Sequence, residues 1–208
     1  MTSGSHDDSA LDAGPYAAWV DGMHRALSDG GDADVPCGSC VACCSSSQFV
    51  HIGPDEADAL AHIPRQLLFP APGLPRGHVL MGYDERGRCP MLTDAGCSIY
   101  EHRPRTCRVY DCRVFPAAEV TPDGDKPLIA RQARRWRFRH PSPDDHARHD
   151  ATRSAAVFLR RHRDDLPAAV TPRNASQHAI AALAVHDLFV SAEPDPAVVV
   201  AELERRRH

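Results

Sequence analysis

Long hydrophobic runs are missing from this sequence. No stretch reaches the roughly 18 to 20 consecutive apolar residues of a membrane-spanning helix, so no span is expected. The first eight residues, Met1 to Asp8, lack a basic segment followed by an apolar one, so no leader is expected either, and the chain reads as soluble and cytoplasmic. A strong charge of one sign is also missing. Lysine and arginine total 24 against 28 acidic residues, a formal charge of −4, which excludes a global attraction to nucleic acid or anionic membrane and leaves only local basic sites. Aromatic residues are few, at 6%, which says little about function. Familiar catalytic signatures are absent as well. The 13 histidines are dispersed, and there is no zinc-protease His-Glu-x-x-His, no Gly-x-Ser-x-Gly elbow and no phosphate loop.

Cysteine is what the chain does have, and it is grouped. Cys37, Cys40, Cys43 and Cys44 fall within eight positions, and Cys89, Cys97, Cys107 and Cys112 follow in one further stretch. In a reducing compartment such a set predicts metal ligands rather than a disulfide framework. Thiolates are soft anionic donors for zinc, copper(I) or iron, and crowding them without a cation leaves repelling charges or oxidisable thiols. A helical box would gather its four sulfurs in an arc of about 120°, whereas a loop would let Cys-x-x-Cys turns converge. Adjacent Cys43 and Cys44 cannot easily share one mononuclear ion. Eight thiols therefore suit two sites or one polynuclear centre, an iron-sulfur centre first and zinc as the alternative. The spacing matches the ferredoxin run Cys-x2-Cys-x2-Cys in part, but Cys44 follows at once and the Cys-Pro pair lies far away, at Cys89-Pro90.

Around the cysteines the chain predicts an α+β fold: a small, irregular, metal-stabilised core with an amino-terminal helix and a carboxy-terminal helical layer over it. Three segments are expected within one compact domain: 1–30, helical; 31–140, the cysteine core; and 141–208, the helical layer. Tyr16, Trp19, Val20, Met23 and Leu27 predict a helix from Leu11 to Leu27, followed by a hinge at Ser28 to Asp32. Gln48 to Ile52 reads as a strand, with a helix from Pro54 to about Ile63. Residues 64–78 read as a proline-rich loop, and Val79 to Tyr83 with Cys89 to Leu92 as a hairpin around Asp84 to Gly87. Ser142-Pro143, Thr171-Pro172 and Asp195-Pro196 each place a capping side chain before a proline suited to the first helical position.

The order CGSCVACC, CPML, GCSIYEHRPRTCR and VYDCRVF over about residues 36 to 115 resembles the bacterial CxxCxxCC cysteine-cluster family, described as a proposed zinc- or iron-chelating domain. The resemblance implies that all eight cysteines are chelating residues. It implies no reaction. Flagellin lysine N-methylases, which are larger, have a comparable cysteine region, but no glycine-rich S-adenosylmethionine loop is found here.

Other residues carry weaker signals. Arg103 and Arg108 are placed to offset thiolate charge beside the centre, as residues touching the cofactor indirectly. His102 precedes Arg103 in the segment joining Cys97 to Cys107, a candidate replacement ligand against the reading of an ordinary surface histidine. Arg131 to His140 interleaves arginines with Trp136 and Phe138, which predicts a strand with both rings inward in preference to a nucleic-acid surface. Asp145, His146, His149 and Asp150 could hold a metal on one helix but read first as a polar face. The expected partners are thus a metal ion or cluster and a protein partner, with no membrane and no nucleic acid.

Overall fold

The computed structural model describes residues 9–28, 31–33 and 35–206. The expectations for Met1 to Asp8, and for Asp29 and Gly30 of the hinge, lie outside the described residues. The fold is α+β, with helices and three small sheets. No helix among the described residues is long and apolar enough to cross a membrane. The chain divides into two compact units: among the described residues, the first comprises 9–21, 112–123 and 130–206, and the second 22–28, 31–33, 35–111 and 124–129.

In the first unit, Leu11–Pro15 is a strand and not the start of the expected helix, which begins at Tyr16. The reason is local. Gly14 sits at φ 86°, and the residue before a proline is pushed out of the helical region, so Gly14-Pro15 ends the strand through a shift in register and hands the chain to the helix. The strand runs parallel to Trp136–Arg139, pairing Leu11 with Trp136 and Pro15 with Arg139. Trp136 is 2% exposed, as the inward-ring reading requires. Phe138 packs edge-on against Tyr16 and 4.7 Å from Trp19, so both rings of the arginine-rich segment are spent on packing.

The helices of this unit show which caps are real. Ser142 and Asp145 exchange hydrogen bonds at the start of Pro143–Arg161, a full capping box, and Asp145 Oδ1 also accepts the Ala17 N–H at 2.8 Å. Asp195 likewise accepts the Ala197 N–H at 2.8 Å to open Pro196–Arg205. Thr171 does not cap. Its hydroxyl turns back to the Leu166 and Pro167 carbonyls, and Asn174 opens Ala175–Val185 instead, accepting the Gln177 N–H at 2.9 Å. Phe158, Leu159, Leu183, Val185 and Val199 fill the space between these helices. The expected polar face at His149 is a second correction. His149 is 4% exposed and stacks on Tyr16 at 4.2 Å and 11°, with its Nδ1 2.7 Å from His140 Nε2. A neutral imidazole is flat and aromatic enough to be core, and burial holds its pKa down at about 4.

In the second unit, Val50–Ile52, Val79–Met81 and Leu68–Pro70 form an antiparallel sheet with Val79–Met81 in the centre. Alternation turns Val50 and Ile52 inward, where they meet Ala59, Ile63, Met81, Met91 and Ile99. Part of the expected loop is therefore a strand. Leu68–Pro70 lies at the sheet edge, where a proline costs no ladder bond. The Asp84 turn exists, with Asp84 Oδ1 accepting the Arg86 and Arg88 N–H groups and Gly87 at φ 73°. It does not make the expected hairpin, because Val79–Met81 already has partners on both sides; Leu92–Thr93 pairs with Gly96–Cys97 instead. Helix Ala57–His62 starts three residues after Pro54 because the Glu56 carboxylate accepts the Gly53 N–H at 2.7 Å and holds that turn open.

Candidate metal centre

The cysteine box is a loop with one short 3-10 turn, Cys43–Ser45, rather than a helix. Backbone bonds shape it: Cys40 N–H donates to the Cys37 carbonyl at 2.9 Å, and Ser45 N–H to the Ala42 carbonyl at 3.2 Å. The Ser46 hydroxyl caps the same Ala42 carbonyl, and Lys126 Nζ donates to the Ser46 and Ser47 carbonyls at 2.9 and 3.1 Å, pinning the exit of the box.

Two further backbone bonds bring the second cysteine group to the first. Cys89 N–H donates to the Cys44 carbonyl at 2.7 Å, and Ser47 N–H to the Gly87 carbonyl at 2.9 Å. Cys97 follows on the small hairpin and Cys107 on the helical turn Arg105–Arg108. That turn is fixed from three sides within the unit. Glu56 Oε1 accepts the Arg105 N–H, Arg105 Nη2 donates to the Leu27 carbonyl at 2.7 Å, and the Thr106 hydroxyl donates to the His51 carbonyl at 2.8 Å. Cys89, Cys97 and Cys107 all pack against the Val50–Ile99 apolar cluster.

The thiols feel one another. Cys43 and Cys44 approach to 3.9 Å between sulfurs; sharing that bond holds the Cys43 thiol up, with burial adding, and draws Cys44 down to about 7, with Arg103 helping. Burial pushes Cys107 up to about 12, and the charges of Cys44, Cys89 and Cys97 push it the same way. Cys89 is raised by burial first and then by Cys44 and Cys97, while Cys37 acts on Cys43. Six sulfurs are joined by these pairwise effects, Cys37 through Cys43 and Cys97 through Cys89 and Cys107, and three of the six lie against an apolar wall, so ionising neighbouring thiols is opposed. A soft cation removes that conflict, so the donor set fits zinc or iron. Cys40 belongs to the same unit and is placed by its backbone bond to Cys37.

Cys112 has a different setting. It belongs to the first unit, is 8% exposed and accepts the Trp136 indole N–H at 3.2 Å. The two arginines also differ. Arg103 lies over the Tyr100 ring at 3.7 Å, donates to the Tyr100 carbonyl and favours the charged forms of Cys44 and Cys107. Arg108 pairs with Asp32 at 3.3 Å, and its carbonyl accepts the Ala33 N–H. Lys126 was invisible as a site residue in the sequence because its carbonyl partners lie about 80 positions away. A cleft of about 420 Å³ is found in the first unit, between Glu119, Asp123, Arg160, Arg163, Arg173 and His178, and no cysteine lines it.

Grouped soft donors on short, hydrogen-bonded loops define a cysteine-rich chelating domain. Residues 36–127 match the model of the CxxCxxCC family, "Putative zinc- or iron-chelating domain", so this part of the chain is similar to that family. The match supports metal binding, by zinc or iron. No curated protein and no solved structure matches it.

Proposed function

We propose that this is a cytoplasmic protein whose cysteines hold an iron-sulfur centre used in redox chemistry, sensing or a maturation pathway. The observation that supports this is that Cys37, Cys43, Cys44, Cys89, Cys97 and Cys107 are linked pair by pair and that Cys89 is bonded to Cys44 through the backbone, more thiols than a mononuclear ion takes. Cys40 completes the proposed chelating set of this unit, and Cys112 of the first unit is proposed as a chelating residue from the resemblance alone. When bound, the centre would supply electron transfer or ligand exchange. The chain's own contribution is to shield it with Val50, Ile52 and Met91, to lend the positive charge of Arg103, and to aim the box with Lys126.

A zinc-stapled interaction module is the second reading, and the short elements of the second unit favour it. Its strands run two or three residues and its longest helix of its own six, so a cross-linking ion would do much of the holding. A third reading, a metalloenzyme acting on an unidentified substrate, would gain from a ligand-sized cleft at the cysteines; the cleft just described is lined elsewhere.

Anaerobic purification from the native host separates the first two readings. Brown protein with broad visible absorption and acid-labile sulfide is the expected result. Colourless protein with stoichiometric zinc and no sulfide would refute the iron-sulfur reading and leave the thiol assignment standing.

A further inference from the structure

A second group of metal-capable side chains lies in the cysteine unit but contains no sulfur. His62 ends the helix Ala57–His62, Asp58 lies one turn before it, and His102 ends the 3-10 turn Tyr100–His102. The two imidazoles stack face to face, centroids 3.5 Å apart and planes within 4°. Both point Nδ1 at Asp58: His102 Nδ1 is 2.9 Å from Oδ2, and His62 Nδ1 is 3.6 Å from Oδ1 and 2.9 Å from the Asp58 carbonyl. One carboxylate oxygen and one nitrogen from each ring all lie within 4.8 Å of one another.

From these three side chains we infer a divalent-metal site of nitrogen and oxygen donors, Asp58, His62 and His102, distinct from the thiol centre and independent of what that centre holds. The spacing carries the argument. With bonds of about 2.0 to 2.1 Å, two ligands of a tetrahedral ion lie about 3.3 Å apart, and the present nitrogen–oxygen separations of 2.9 and 3.6 Å bracket that value. The chelate is also the right kind: two imidazoles and a carboxylate select a borderline ion such as zinc, nickel or cobalt over calcium or magnesium. Binding must fan the rings, because a ligated metal lies in the plane of its imidazole; exposed His62 has the freedom to turn. The side chains are held in advance by the helix turn that spaces Asp58 and His62 four apart, and water would complete the coordination. Accessibility makes this an exchangeable site rather than a sealed one.

The test uses the purified full chain with its thiol centre filled. Zinc is titrated by calorimetry, while histidine ring nitrogens are followed by long-range proton–nitrogen NMR. The expected result is one zinc equivalent beyond the resident metal, with the Nδ1 signals of two histidines moving to metal-bound positions. His62→Ala combined with His102→Ala should abolish that equivalent and leave the resident metal unchanged. Asp58→Asn, which keeps the shape and removes the charge, should weaken binding at least about tenfold. An extra equivalent that survives the double substitution, or none at all in the parent with unmoved histidine signals, would overturn the site. Loss of the resident metal in the double variant would also overturn the claim that the two sites are distinct.

Discussion

His149 makes the pH dependence of stability calculable. Its ring is sandwiched within the first unit by Tyr16 on one face, with His140 hydrogen-bonded at Nδ1 and Phe138 edge-on, and burial with the charge of Arg153 holds its pKa at about 4 against an ordinary 6.5. A depressed pKa in the folded state means the unfolded chain takes up the proton first. The stability this neutral ring contributes is therefore complete above pH 6.5 and is lost as pH falls toward 4. At about 1.36 kcal/mol per pH unit the full loss is about 3 kcal/mol, and about 2 kcal/mol of it falls between pH 7.5 and 5. His149→Phe keeps a flat ring against Tyr16 and removes the titration. It leaves His140 without its partner, a cost of about 1 kcal/mol that does not vary with pH in the same way. Both tryptophans, Trp19 and Trp136, lie in this unit, so fluorescence-detected urea unfolding reports on it directly. The parent should lose about 2 kcal/mol more than the variant on going from pH 7.5 to 5. Equal losses in the two proteins would refute the assignment of that slope to His149.

Three other substitutions probe the remaining links. Cys107→Ser should lower bound metal and the melting temperature together, since an alcohol is neither readily ionised nor soft; full metal content with unchanged melting would remove the second cysteine group from the centre. Gly87→Ala places a Cβ 2.4 Å from Ser47 Oγ at φ 73°, so it should cost at least about 1 kcal/mol and reduce metal retention by loosening the Ser47–Gly87 bond, as read by melting and metal analysis. Ser142→Ala should cost about 1 kcal/mol in urea unfolding of the first unit without changing metal content, because the capping box belongs to that unit alone.

What the sequence made legible was local. Ser142 and Asp195 were readable as caps because their partners lie two or three residues on, and Cys-x-x-Cys spacing was readable because a turn brings those positions together. Thr171 misled for the same reason: its local grammar was sound, but carbonyls at Leu166 and Pro167 competed for the hydroxyl and won. Long-range pairing was not legible. Leu11 opposite Trp136 is a partnership across most of the chain, and nothing in Leu11 to Pro15 separates a strand from a first helical turn except Gly14-Pro15. Leu68–Pro70 was hidden by its own proline and by those around it, which mark loops on average, whereas a proline is harmless at an edge.

The same contrast governs the site. Counting cysteines named the candidate donors, but the approach of the two groups rests on the bond from Cys89 N–H to the Cys44 carbonyl, formed between residues 45 positions apart. Closing a loop of that length costs only slowly more entropy as it grows, whereas the proposed metal, shared by both ends, would contribute on folding and not in the open chain. The long excursion between the two cysteine groups is thus cheap to carry, and the sheet and helix built within it, with Asp58 and His62, are supported by the closure. The His62–His102 stack follows from that arrangement: one ring sits on the excursion and the other between Cys97 and Cys107, so the nitrogen–oxygen pocket forms where the excursion meets the second cysteine group.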